Sequence, residues 1–235
     1  RCEEQATMMS QPTSRPTTIY LVRHGESQLN LEKRVSGQFD TPLSQEGIRH
    51  SQMLAVQLLE VPLTGIYTSA LRRTVETARP TASMHGLQIQ SHAGLNEQHF
   101  GVLEGRFRDE RDPEARALWD ARKHDKRTHR IPGGERFIDL AERVKQVMKD
   151  ILVHAAGGTI LIVGHRNTNR ALFGMLMRQS EECWPHLTLK SQCIYQITTG
   201  NQPQLITYLL RGEQLELAMG RASYRDTGTA SPEVA

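Results

Sequence analysis

Two stretches of the chain are apolar at nearly every position: Thr18–Val22 (TIYLV) and Thr159–Val163 (TILIV). An alternating pattern marks a strand with one wet face, whereas a short continuous apolar run fits a strand covered on both faces. Weaker β-like runs fall at Gly65–Thr68, Leu87–Ser91, Cys193–Thr198 and Leu205–Leu210. Helical spacing lies between them. After Ser44, a suitable N-cap, Ile48, Ala55, Leu58 and Leu59 are placed on one face. After Ser69, a second cap candidate, Leu71, Val75 and Ala78 recur at helical intervals until Pro80, which predicts a break. The longest stripe is Phe137, Leu140, Ala141, Val144, Val147, Met148, Ile151 and Leu152, ended by Gly157 and Gly158. The segment NTNRALFGMLMRQ then follows the fourth strand as another helix. Strands alternating with helices predict an α/β fold, a mostly parallel central sheet with helices on both faces.

Both wholly apolar strands end in histidine, IYLVRH at His24 and TILIVGH at His165. Open α/β sheets bind ligands beyond the carboxyl ends of their strands, so neighbouring parallel strands deliver both imidazoles to one pocket. Arg23 precedes the first histidine, and Arg72 and Arg73 open a helix at the same sheet edge. Planar guanidinium forks and a helix N-terminus both suit phosphate oxygens. Glu97 follows the third strand, with Glu104 further on. A carboxyl held against a phosphate dianion is favoured in its protonated form, which suits a general acid.

Composition narrows the class. The chain has 235 residues, 37% hydrophobic and 23% charged, enough for a sizeable core. No run approaches the length of a membrane span. Three cysteines, Cys2, Cys183 and Cys193, are too few and too odd for a disulfide framework, and point to a reducing, cytoplasmic setting. No CxxC or HxxxH pair suggests a structural zinc site. A net charge of +3 and 5% aromatics give no ground for nucleic-acid binding. Residues 1–16 and 220–235 are polar and without period, and read as flexible tails around one domain spanning 17–219.

The residues resemble the histidine phosphatase superfamily, whose other branch is the cofactor-dependent phosphoglycerate mutases. LVRHGES is similar to its first motif, and NLEKRVSGQFDTPLSQEG to the stretch in which Asn30, Ser36 and Gly37 line the phosphate pocket. TSALRRTVETA resembles the S-x-L-x-R-A-x-x-T-A helix; aligning Ser69, Leu71, Thr77 and Ala78 selects Arg73 over Arg72, with Thr74 where the family has Ala. LNEQHFGVLEG selects Glu97, and VGHRNTNRALF selects His165 with Asn167 beside it as a substrate contact. The resemblance implies a three-layer α/β sandwich with a small lid insertion at about 105–132. It also implies that His24 attacks phosphorus to form a phosphohistidine, that Arg23, Arg73 and His165 hold the non-bridging oxygens, and that Glu97 protonates the leaving oxygen. No metal and no cofactor is implied, 2,3-bisphosphoglycerate entering only for a mutase. The partner is a small phosphorylated substrate, with no nucleic acid and no membrane, on a monomer or homodimer.

Both branches stay open. IPGGERFIDLAERV is similar to the phosphatases, with Arg136 where they have Ser or Thr, while LNEQHFG and NLEKRVSG lean towards the mutases. The stretch ARKHDKRTHR, with five Lys or Arg, reads equally as a lid over a second anionic group or as a solvated insertion. The favoured expectation is a phosphomonoester hydrolase. The alternative is a phosphoglycerate mutase, and a catalytically silent binding module is a third reading.

Overall fold

A computed structural model describes residues 15–218 and 224–226. In chain order the strands are β1 (Thr18–Arg23), β2 (Gly65–Ser69), β3 (Ile89–His92), β4 (Thr159–Gly164), β5 (Leu187–Leu189), β6 (Cys193–Thr198), β7 (Gln204–Leu209), β8 (Glu216–Leu217) and β9 (Tyr224–Asp226). The α-helices are α1 (Gln28–Leu31), α2 (Gln45–Gln57), α3 (Arg72–His85), α4 (Pro113–His124), α5 (Phe137–His154) and α6 (Arg166–Leu176).

Seven strands form one sheet in the order β3-β2-β4-β1-β6-β7-β8. The first four run parallel, and β6, β7 and β8 join antiparallel at one side. The apolar runs of β1 and β4 are explained by burial on both faces. Ile19, Leu21, Ile160 and Ile162 pack with Phe137, Leu140, Val144, Met148, Leu172 and Phe173 of α5 and α6. Tyr20, Val22, Leu161 and Val163 face the other way, onto Leu54 of α2, Leu58 and Ala78 of α3. Each fully buried aliphatic side chain contributes about 1.5–3 kcal/mol relative to exposure, so these two layers fix the strands that carry the site.

Several local expectations are corrected. Pro80 lies inside α3, which continues to His85. An internal proline costs about 3 kcal/mol, but Ala78, Thr81 and Ala82 around it are buried against the sheet, and that packing outweighs the lost hydrogen bond. Ser69 is not the cap of α3; Leu71 takes that position without a side-chain cap, and Ser69 is the last residue of β2. On α2 the buried stripe is Gly47, Ser51, Leu54 and Ala55, running on to Leu58, which leaves Ile48 and Leu59 exposed beside it. The expected parallel sheet is present as β3, β2, β4 and β1, and β6 to β8 extend it antiparallel through short connections without a crossover helix. The first tail falls outside the described residues apart from residues 15 and 16. The second also falls outside the described residues except at 224–226, which form β9, paired antiparallel to β5; a main-chain ladder needs no apolar period, so none marks this strand in the sequence.

The insertion between Gly105 and Pro132 holds α4. Asp112 caps it through Ala115 N, and Pro113 occupies its first turn. Ala115 packs with Val35, Phe100, Leu103 and Ile131, supported by Leu118 and Trp119, in a small core of its own. Positions 115, 118, 119 and 122 therefore share the inward face of α4, while the charges between them are solvated.

Candidate active site

The register of the sheet brings the strand-end histidines together. Arg23 pairs with Gly164, the last residues of β1 and β4, and His24 N donates to Gly164 O at 3.0 Å. His24 and His165 follow directly, and their ring centroids are 5.1 Å apart. The turn after β1 is locked onto α2: Ser44 N donates to Glu26 O, Ser44 Oγ to Glu26 Oε1, and Gly47 N to Ser44 Oγ. A Cβ at Gly25 would meet Gly47 O at 2.6 Å, so backbone alone fits there.

His24 Nδ1 lies 2.6 Å from Gly25 O. A carbonyl only accepts, so Nδ1 carries the proton and Nε2 holds a free lone pair. His165 is fixed from both sides. Arg73 Nη2 donates to its Nδ1 at 3.1 Å, so its Nε2 bears the hydrogen that Ser69 Oγ accepts at 2.8 Å. Burial, then Arg73, then Arg23 push His24 well below the ordinary imidazole value, and burial, Arg73 and His24 do the same to His165.

An unfolded histidine takes up a proton below about pH 6.5 while these folded ones do not, so their stability is present above that pH and is lost as pH falls towards the depressed folded values. Each residue contributes a slope of up to about 1.4 kcal/mol per pH unit. Denaturant titrations of the protein and of His24→Gln between pH 7.5 and 5 check this. The variant is expected to lose stability less steeply below pH 6.5, and equal slopes would contradict the assignment.

Arg72 and Arg73 point in opposite directions. Arg72 is exposed and ion-paired to Glu76 at 2.6 Å. Arg73 is fully buried; its Nη2 donates to Gly37 O at 2.7 Å and its Nη1 to Phe39 O at 3.1 Å, while Nε has no partner. Desolvation lowers its pKa to about 10, which still leaves it charged at neutral pH. Arg23 Nε is also buried without a partner. Both guanidinium groups therefore retain unused donors beside His24.

Gly37, at φ +48°, bends the loop so that its carbonyl meets Arg73. Asn30 Nδ2 donates to Ser36 Oγ at 3.4 Å, which ties α1 to the same loop. Glu104, noted as a second carboxylate, braces it: Oε1 accepts from Gln38 N and Phe100 N, both at 2.8 Å. A Cβ on Gly37 would lie 2.0 Å from that oxygen. Gly37→Ala is expected to cost about 2 kcal/mol of stability, from positive φ and the clash together; thermal denaturation unchanged from the parent would refute this.

Glu97 faces the start of α6. Its Oε1 accepts from Gln98 N at 2.9 Å, and Asn167 N lies 3.2 Å from each oxygen. Asn167 also lines the cavity, though its side chain is engaged: Nδ2 donates to Gln98 Oε1 and Oδ1 accepts from Arg170 Nη1, both at 2.9 Å. The cavity holds about 260 Å³ and contains all nine site residues selected from the sequence except His165, which lies fully buried behind it against Arg73. Sequence reasoning missed Ser69, although the rule that singled out the strand-end histidines applies to the end of β2 as well. It also missed Gln98, Arg170, Arg108 and Arg166, whose direction depends on contacts remote in the chain. Among the described residues, no group of three or more His, Cys, Asp or Glu side chains is placed to hold a metal ion, and no helix is long and apolar enough to cross a membrane.

A family profile described as histidine phosphatase superfamily (branch 1) matches residues 19–209. The chain belongs to that superfamily. Among curated relatives it is 31% identical over 187 residues to a Yersinia pestis protein named "Probable phosphoglycerate mutase GpmB", covering 80% of this chain and 87% of that one. Solved superfamily structures share the fold. The alpha-ribazole phosphatase from Shigella flexneri aligns with a TM-score of 0.75 at 27% identity, over 85% of this chain and 98% of its own. The mycobacterial glucosyl-3-phosphoglycerate phosphatase aligns at 0.70 and 25%, over 81% and 97%. Superfamily membership and the α/β architecture thus agree with the reading of the motifs.

Proposed function

We propose that this superfamily member is a phosphomonoester hydrolase that works through a phosphohistidine on a small phosphorylated metabolite, without a metal. The observation that carries the reading is the tautomer of His24. Its bond to Gly25 O leaves Nε2 as a neutral nucleophile at a pocket whose nearest charges, Arg23 and Arg73, have donors to spare.

In the first step Nε2 attacks phosphorus in line, the P–N bond forms and the P–O bond to the alcohol breaks. Glu97 passes a proton to the leaving oxygen as that bond breaks. In the second step the Glu97 carboxylate takes a proton from water, the water oxygen bonds to phosphorus, and the P–N bond breaks to release inorganic phosphate and free His24. Splitting one displacement in two is the gain of covalent catalysis. Arg23 and Arg73 stabilise charge on the non-bridging oxygens, the main source of rate in phosphoryl transfer. His165 acts behind the pocket: its Nδ1 accepts from Arg73 Nη2 and its Nε2 donates to Ser69 Oγ, so it holds the Arg73 guanidinium in place and does not itself meet a phosphate oxygen. Burial and the Arg73 and Arg23 guanidinium groups hold the nucleophile's pKa well below the usual imidazole value, so its ionisation places an acid limb of kcat/KM below the ordinary histidine range.

The phosphatase names of solved relatives support hydrolysis, and the name of the Yersinia relative supports the mutase alternative. One incubation separates them. The protein is given p-nitrophenyl phosphate, and separately 3-phosphoglycerate with a trace of 2,3-bisphosphoglycerate. Release of inorganic phosphate is expected in both, and rapid isomer exchange with little phosphate release would overturn the choice.

A further inference from the structure

The cavity holds far more positive charge than one phosphoryl group requires. Besides Arg23 and Arg73 it is lined by Arg34, Arg108, Arg122, Lys123, Lys126, Arg166 and Arg170, against the single carboxylate of Glu97. Arg34 and Lys123 are ion-paired to Glu32 and Asp120. Among the described residues the remaining five distal cations have no ion pair. Two of them, Arg122 and Arg170, are also buried. Removing guanidinium groups from water is costly, and Glu97, the one carboxylate lining this cavity, must offset Arg23, Arg73, Arg122 and Arg170 together, which leaves counter-charge for a ligand to supply.

These two arginines are aimed by the residues that flank Glu97. Arg122, from α4, donates Nη2 to Gln98 Oε1 at 2.9 Å and lies over the rings of Phe100 and Trp119, 5.1 and 5.5 Å from their centroids. Arg170, from α6, donates Nε to Leu187 O and Nη1 to Asn167 Oδ1. Gln98 Oε1 also accepts from Asn167 Nδ2, so one network joins both arginines to the backbone that grips Glu97. Both residues are buried, Arg122 Nε has no hydrogen-bond partner, and the bonds made by Arg122 Nη2 and by Arg170 Nε and Nη1 leave Arg122 Nη1 and Arg170 Nη2 free to donate. Lys126 stands nearby, half-buried and without a bonded partner; burial lowers its pKa, and Arg170, Arg122 and Arg166 lower it further.

We propose that Arg122, Arg170 and Lys126 form a second oxyanion subsite on the leaving-group side of the phosphoryl pocket, so that the substrate's alcohol half itself carries a carboxylate or a phosphate. The proposal rests on Glu97 as the proton donor, because that role places the leaving group next to Gln98 and Asn167. It also accounts for α4, which closes the pocket by supplying Arg122, and it divides the basic stretch after Asp120 into a cavity-facing part and a solvated part.

The test is made on His24→Ala, which binds esters without turning them over, by calorimetric titration with two matched pairs. 3-Phosphoglycerate against glycerol 3-phosphate reads a carboxylate, and propane-1,3-diol bisphosphate against propyl phosphate reads a second phosphate. One or both doubly anionic members are expected to bind at least about 30-fold tighter than their partners, the scale of two charge-assisted hydrogen bonds. Adding Arg122→Met, which keeps bulk over Phe100 and Trp119, should cut the advantage to about threefold or less. Lys126→Gln, at a half-buried position without bonds, should cut it by about three- to tenfold and serves if Arg122→Met does not fold. Pairs that bind within threefold of each other in the parent overturn the subsite, as does an advantage that survives both substitutions. A wild-type protein that releases no phosphate from any ester is a separate outcome: it defeats the hydrolase reading while these binding ratios still decide the subsite.

Discussion

His24→Ala is expected to lower kcat at least about 10⁴-fold on any phosphate ester, equivalent to about 5.5 kcal/mol of transition-state stabilisation. The loss is large because no neighbour can substitute. His165, whose ring centroid is 5.1 Å away, has its Nε2 hydrogen committed to Ser69 and its Nδ1 facing Arg73. Water attacking directly would forgo the covalent route, although Arg23, Arg73 and Glu97 still bind and polarise the ester. Folding should be preserved, since the substitution removes a buried imidazole set among cations without unpairing another side chain. Steady-state kinetics and a thermal melt on the same preparation read both effects. A variant that melts like the parent and retains more than about a tenth of kcat contradicts the nucleophile assignment.

Glu97→Gln is expected to show its effect selectively. General acid catalysis contributes about 10²–10⁴-fold where the leaving oxygen needs a proton and little where it departs as a stable anion. Values of kcat/KM, which report steps up to the first irreversible one, should therefore fall about 10³-fold for alkyl phosphates and less than tenfold for p-nitrophenyl phosphate. The amide is close in shape and retains one oxygen to accept from Gln98 N and Asn167 N, so α6 stays in register with the pocket. kcat itself should fall for both substrates, because the same residue activates water in the second step. Equal losses in kcat/KM across a graded series of leaving groups would show that Glu97 positions the substrate and donates no proton.

The particular residues explain how much could be read in advance. Thr18–Val22 and Thr159–Val163 were legible as central strands because burial on both faces removes polar positions from the sequence itself. The meeting of His24 and His165 followed from the sheet-edge rule once those strands were neighbours, and the parallel register supplied it. Arg73 could be separated from Arg72 only through the family motif; physically the choice is made by Gly37 and Phe39, whose carbonyls lie more than thirty residues earlier. Pro80 misled because local propensity favoured a break, while tertiary packing of Ala78 and Ala82 carried the helix through it. Ser69 misled in another way: a serine before a helix is usually a cap, and here the hydroxyl serves His165 while also accepting from Leu71 N. The lid was ambiguous because charge dominates its sequence. Ala115, Leu118 and Trp119 are too few to show a period among so many Arg and Lys, yet they suffice to dock α4 on Phe100 and turn Arg122 inward.

The central claim is that phosphorus becomes bonded to Nε2 of His24 during turnover. The most direct measurement is rapid acid-free quenching of the wild-type protein with a phosphate ester, followed by peptide mass spectrometry and ³¹P spectroscopy of the trapped species. The expected result is one acid-labile phosphoramidate, formed at the turnover rate and mapped to the peptide containing His24. Turnover with no trapped phosphoryl group, or with the label on His165 or any other side chain, contradicts the account.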